Sequence, residues 1–296
     1  MTRTRLIAIE TGVTLNVALA GVQGKPPVIL LHGFPESHRT WREVEPHLRN
    51  SFNLIMPDQR GFGASDHPRE VAAYAIDLLV EDVFALADAL GLERFSIVGH
   101  DWGGAVAWHA ALTRPKRLSR LSIINAPHPV IFQKSLISSE AQRTASQYIN
   151  AFRDPGFEET VEAEGYDWFF DRTFGRHVDP SLIPENEKRQ YIADWSRPGV
   201  FTAMLNWYRA SRLMVPYPGT SPAVPDWLSR PFPRIKVPTQ VIWGMKDRAL
   251  LPLQLDGLDC LVDDLTVVRL TDAGHFAPWE AGTEVAASLR QFLVEG

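Results

Sequence analysis

The sequence predicts an α/β protein: a mostly parallel sheet with helices on both faces, interrupted by an inserted block of helices. Three observations lead there. Short, continuous apolar runs recur, several ending at glycine-bearing turns, with helical periodicity between them. One of them, "FSIVGHDWGGAVAW" at 95–108, passes from strand to tight turn to helix without a spacer. The texture then changes after about residue 129 and returns to strand at "VPTQVIWGMKD".

Taken in order, the opening "MTRTRLIAIETGVTLNVALAG" is basic at first, then alternates in strand fashion with Glu10 and Asn16 inside it. It lacks the apolar stretch of a signal peptide. "PPVILLHG" is a short apolar run ending in a glycine turn, and "FNLIMPDQRGFGASD" is a second, ending in a glycine-rich loop. Residues 77–90 carry Leu78, Leu79, Val83, Leu86 and Leu90 at helical spacing, with Gly91 placed to cap the helix. The strand 95–98, its turn and an alanine-rich helix follow, and then the strand "LSRLSIINAP". Residues 130–215 are rich in aromatic and charged residues at helical spacing. Residues 216–233 hold six prolines and are expected to lack regular structure. "LTVVRLTDAGHF" is a further strand and "EVAASLRQFLVEG" an amphipathic helix. The expected division is a core formed by 1–129 and 231–296 around a helical cap at 130–230.

With 296 residues, 45% of them hydrophobic and 22% charged, the chain can bury a sizeable core. A net charge of -5 lacks the basic footprint of a nucleic-acid binder. No apolar run reaches the ~18 residues of a membrane span. Cys260 is the single cysteine, which excludes an intrachain disulfide and fits a reducing compartment. The cytoplasm is the expected location. The sequence is silent on oligomeric state.

Three strand ends each present a polar residue in a turn: Asp101, Asp247 after "VIWGMK", and His275 after "LTDAG". The order nucleophile, acid, histidine is that of a hydrolase triad, and "GHDWG" has the outline of a nucleophile elbow with aspartate in the place of serine. Two other acids compete for the orienting role. Asp272 reads as a turn residue and Asp58 as a residue held by backbone donors. Asn125, after the "LSIIN" strand, cannot carry the charge that stabilises an imidazolium. Asp247 is therefore preferred. "HGFPES" follows a strand directly. The backbone N–H groups of Phe34 and Trp102 are the expected oxyanion donors, with Gly33 allowing the turn and Pro35 fixing the bend. His32 and His100 read as structural. The histidines show no metal-ligand spacing, no phosphate-binding loop is present, and "GFGASD" reads as a turn.

A carboxylate nucleophile attacks carbon by displacement and leaves an alkyl ester on the enzyme. It suits a carbon bearing a halide or a strained ether oxygen. His275, oriented by Asp247, would then activate water against that ester.

"HGFPES…WR", "DQRGFGASD", "VGHDWGG", "GMKDR" and "DAGHF" together resemble the α/β-hydrolase-fold epoxide hydrolases, over nearly the whole chain. Haloalkane dehalogenases are close relatives. The resemblance implies an epoxide as small-molecule substrate, a diol product and no cofactor or metal. Haloalkane dehalogenases usually place Asn or Gln after His-Gly, where this chain has Phe34. Epoxide hydrolases supply two cap tyrosines as acids, and "QYINAFRDPG" and "MLNWYRAS" present Tyr148 and Tyr208. Trp207 and Phe152 are expected as pocket walls, and the cap's aromatics suggest an apolar pocket. Two alternatives stay open. One is a haloalkane or haloacetate dehalogenase, the latter needing cations such as Arg39, Arg42 or Arg60. The other is a non-catalytic ligand receptor on the same fold.

Overall fold

The computed structural model describes residues 3–179 and 182–294. Among these, eight strands form one sheet: β1 (Arg3–Ala8), β2 (Thr14–Gly21), β3 (Pro27–Leu31), β4 (Asn53–Pro57), β5 (Phe95–His100), β6 (Leu118–Ile124), β7 (Thr239–Gly244) and β8 (Leu265–Leu270). Their spatial order is β1-β2-β4-β3-β5-β6-β7-β8. β1 and β2 pair antiparallel, as do β2 and β4, and every later pairing is parallel. The central strands β5 and β7 are buried along their whole length, which is why they read as unbroken apolar runs. The edge strands β1 and β8 are largely open to solvent.

Helices cover both faces. A short helix α1 (Glu45–Leu48) precedes β4, and α2 (Ile76–Ala89) and α3 (Trp102–Thr113) follow. α2 ends as the sequence predicts: Gly91 takes a left-handed φ of 69°, Gly91 N–H donates to Asp88 O and Leu92 N–H to Ala87 O. These two bonds form a Schellman cap. One residue departs from expectation. Leu78 has the right spacing for the apolar face but is 40% exposed, because the buried stripe of α2 runs through Leu79, Val83 and Leu86.

Between β6 and β7 lie seven helices among the described residues: α4 (Pro129–Ser138), α5 (Glu140–Ala145), α6 (Gln147–Arg153), α7 (Phe157–Glu164), α8 (Tyr166–Thr173), α9 (Glu185–Trp195) and α10 (Val200–Ala210). Aromatic rings bind them together. Phe169, for example, meets Phe152, Phe157, Trp195 and Phe201 edge-on. Polar side chains fasten them to core backbone: Trp195 Nε1 donates to Pro35 O (2.7 Å) and Trp207 Nε1 to Arg60 O (2.9 Å). The proline-rich stretch is irregular except for one 3-10 turn at Asp226–Ser229, entered from Pro225, whose fixed φ suits a first turn. α11 (Ala277–Glu280) and α12 (Gly282–Val294) close the chain. α12 buries Val285, Ala286, Leu289, Phe292 and Leu293 as one stripe. No helix among the described residues is long and apolar enough to cross a membrane.

The β5–α3 junction is tightly packed. A Cβ on Gly103 would meet Leu31 O at 2.2 Å and His32 O at 2.5 Å, both backbone atoms that cannot swing away. Gly103→Ala is therefore expected to destabilise the protein by about 3 kcal/mol or more. Gly24→Ala, at φ 88° with open space around it, should cost about 1 kcal/mol from backbone strain alone. Chemical denaturation of the two variants checks the difference.

Candidate active site

The parallel strands end on the same edge of the sheet, where ligands bind in open α/β sheets. β3 leads to Phe34, β5 to Asp101, β6 to Asn125, β7 to Asp247, and β8 to His275. The five residues converge there.

Asp101 occupies the turn between β5 and α3 with φ 51° and ψ -120°, a region that costs a non-glycine residue of order 1–3 kcal/mol. The turn aims the carboxylate off the sheet. Phe34 N–H donates to Oδ1 at 2.8 Å, and the Trp102 amide, at the N-terminus of α3, also hydrogen-bonds the carboxylate. Gly33 makes this approach possible, since a Cβ there would lie 2.4 Å from the Asp101 Cβ. The other oxygen, Oδ2, stands 3.7 Å from His275 Nε2. On the far side of the ring, Nδ1 is 2.8 Å from Asp247 Oδ2.

Asp247 is fixed from every side. Its Oδ1 accepts from Ala249 N–H and Leu250 N–H, and its Oδ2 accepts from His275 and from Asn125 Nδ2 at 2.8 Å. Burial works against its charge, but His275 and these donors hold its pKa below the ordinary value. Asp101 differs. Burial outweighs its two amides and His275, and its pKa is raised. Burial also opposes charge on His275, yet the Asp247 and Asp101 carboxylates together lift it to about 9.

Asn125 is a residue that the sequence reading set aside. It cannot be the orienting acid, but it holds the acid. At φ 43° its Oδ1 accepts from Gly244 N–H (2.9 Å) while its Nδ2 donates to Asp247. A polar residue ending an apolar strand beside two triad strands was the available signal. Glu280 was missed too. It accepts from Gly274 N–H and Phe276 N–H, pinning the histidine loop. Of the acids set aside in favour of Asp247, Asp272 is exposed and pairs with Lys246. Asp58 accepts from His38 N–H and Ala64 N–H, and also from the Asn16 and His38 side chains.

A model of the alpha/beta hydrolase fold matches residues 26–282. The chain belongs to the alpha/beta hydrolase fold family. It is 39% identical over 241 residues to the AB hydrolase superfamily protein YfhM of Bacillus subtilis, which covers 81% of this chain and 80% of that one. It is 31% identical to Epoxide hydrolase A of Mycobacterium tuberculosis over 98% and 97% of the two chains. A solved structure from novel epoxide hydrolases of the alpha/beta hydrolases superfamily in metagenomes from hot environments superposes with a TM-score of 0.93, at 44% identity over the full length of both. Within the family the chain is epoxide hydrolase-like.

Tyr148 on α6 and Tyr208 on α10 face Asp101 from the inserted helices, their rings 6.2 Å apart. Burial, then the Asp101 charge, pushes both hydroxyls well above the ordinary phenol value, so both are protonated donors at neutral pH. Phe152 packs against Phe34 and Tyr208 at 5.0 Å each, and Trp207 stands edge-on to Trp102 at 5.7 Å. Two cavities meet at Asp101, Tyr148 and Tyr208, of about 420 Å³ and about 640 Å³. Trp207 lines the smaller and Phe152 the larger. The three arginines considered for binding a haloacid are engaged elsewhere: Arg39 with Glu187, Arg60 with Asp82, and Arg42 with Tyr191 and the Trp279 ring. His32 is buried and structural, accepting from Gln59 N–H. His100 Nε2 donates to His275 O at 2.8 Å.

Because Asp101 contributes to the raised pKa of His275, Asp101→Asn is expected to lower it from about 9. Titration of the imidazole by NMR reads this directly. An unchanged value would mean that Asp247 alone sets the ring's charge.

Proposed function

We propose that the protein hydrolyses an epoxide to a vicinal diol through an alkyl ester on Asp101. The observation that carries the reading is the pairing of a carboxylate at the elbow with two protonated tyrosine hydroxyls across one cavity. A carboxylate can displace at carbon, and the ring oxygen of an epoxide, unlike a halide, needs a proton donor to leave.

In this reading the two carboxylate oxygens take different tasks. Oδ1 is held by the Phe34 amide, which leaves Oδ2 to attack an epoxide carbon. As the new C–O bond forms, the ring C–O bond breaks, and its electron pair goes to the oxygen hydrogen-bonded by Tyr148 and Tyr208. One tyrosine gives that oxygen its proton. Esterification removes the Asp101 charge. Since that charge helps to keep His275 protonated, its loss lowers the pKa of the ring and favours the neutral base when water must be activated. Water then gives a proton to His275 Nε2 and attacks the Asp101 carbonyl carbon. The Phe34 and Trp102 amides hold the oxyanion. Collapse expels the diol oxygen, which is protonated from His275, and leaves the water's second proton on the Asp101 carboxyl. Proton exchange with the tyrosinate restores the resting state. In this reading the helices from 129 to 210 act as a cap that supplies the acids.

The test is intact-protein mass spectrometry of His275→Gln, incubated separately with an aryl epoxide and with a haloacetate. Loss of the base should trap an adduct equal in mass to the whole epoxide. A gain equal to the haloacid minus halide would instead make this a dehalogenase, and no adduct from either would remove Asp101 from the nucleophile's role. The tyrosines are tested by the single-turnover rate of ester formation. Tyr148→Phe with Tyr208→Phe should slow it about 10²–10⁴-fold, each single change doing less, with ester hydrolysis little altered.

A further inference from the structure

The two cavities that meet at Asp101 differ in charge. Beyond Asp101, the charged groups lining the smaller arm are Asp77 and Arg212, whose signs cancel, and most of its wall is apolar, including Ile76, Leu79, Phe132 and Leu250. The larger arm carries Arg172, Arg176 and Arg248, and Asp101 is the acid that lines it. All three arginines are exposed, and none lies within ion-pair distance of an acid among the described residues. Two of them are held in place. The Arg172 guanidinium lies 5.2 Å from the centre of the Trp168 ring, and Arg248 Nη1 donates to Arg176 O at 3.4 Å, tying the loop after Asp247 to the chain after α8. His177 lines the same arm, its ring 5.8 Å from that of His275. These three cations therefore share the larger arm with His275 and do not line the smaller, apolar one.

We propose that the larger arm is an anion subsite, and that the substrate carries its epoxide between an apolar body and a carboxylate. The apolar body occupies the arm lined by Phe132 and Leu250, the epoxide lies between Asp101 and the two tyrosines, and the carboxylate meets Arg172, Arg176 and Arg248. An anionic substrate has to approach a carboxylate nucleophile, and like charges repel over these distances. Three guanidinium groups lining one arm, with no ion-pair partner among the described residues, offset that repulsion and fix which way round the substrate enters. His177 fits the same field. Burial first, and then the charges of His275, Arg248 and Arg176, bring its pKa down to about 4, so a neutral ring lines the path.

This inference rests on the epoxide reading, and the experiment separates the two. Epoxy acids of graded methylene spacer length are compared with their methyl esters, and the readout is the ratio of kcat/KM for acid over ester within each enzyme, so a general loss of activity cancels. The parent enzyme should prefer the acid about tenfold at low salt, as expected of three exposed charge contacts acting together, and the preference should shrink as ionic strength rises. The combined change Arg172→Gln, Arg176→Gln and Arg248→Gln should bring the ratio to about one. The corresponding lysine triple should retain most of the preference. Equal turnover of acid and ester by the parent, or a preference unmoved in the glutamine triple, would overturn the subsite. If neither acid nor ester is turned over, the epoxide reading falls, and calorimetry with the saturated carboxylate of the same chain length decides the subsite. Binding lost in the glutamine triple supports it, and absence of binding to the parent overturns it.

Discussion

Everything at this site depends on holding one carboxylate at a point where the backbone has turned through a conformation it resists. Asp101 sits at φ 51°, and the surrounding structure over-determines it. Its N–H donates to Ile124 O and its own carbonyl accepts from Ala105 N–H, so both peptide groups are committed. Small residues on either side let α3 press against β3 and β5. The strain is thus stored by packing that belongs to the core of the sheet. The loops that bring Phe34, Asn125, Asp247 and His275 are arranged around that fixed point.

The same geometry gives two chemically identical side chains different characters. Asp247 has four hydrogen-bond donors and Asp101 has two amides. The first is held below the ordinary carboxylate pKa and the second is lifted above it. In the proposed mechanism the fully satisfied carboxylate orients His275, and the partly satisfied one keeps an oxygen free to attack.

Much of this was legible in the sequence because the relevant signals are local. The elbow and the end of α2 at Gly91 each occupy a few consecutive residues, and Asp247 and His275 each follow closely on an apolar strand. Tyr148 and Tyr208 lie 60 residues apart on separate inserted helices, and they were found through the resemblance of their local contexts to known caps. What escaped depends on partners far along the chain. Asn125 looked like a failed acid until Gly244 and Asp247 were beside it. Leu78 has the right period, but period does not say how wide the buried stripe will be. Nothing local in the sequence marks the common cavity of Arg172, Arg176 and Arg248.

Phe34 combines two roles that need not travel together. Its amide contacts the carboxylate, while its ring packs on Phe152, Phe169 and Tyr208 in the cavity wall. An amide is present whatever side chain follows it, proline excepted. Charge stabilisation is therefore written in the main chain, and the contour of the cavity in the side chain of the same residue. A substitution at position 34 would therefore reshape the cavity wall while leaving the amide on the Asp101 carboxylate in place.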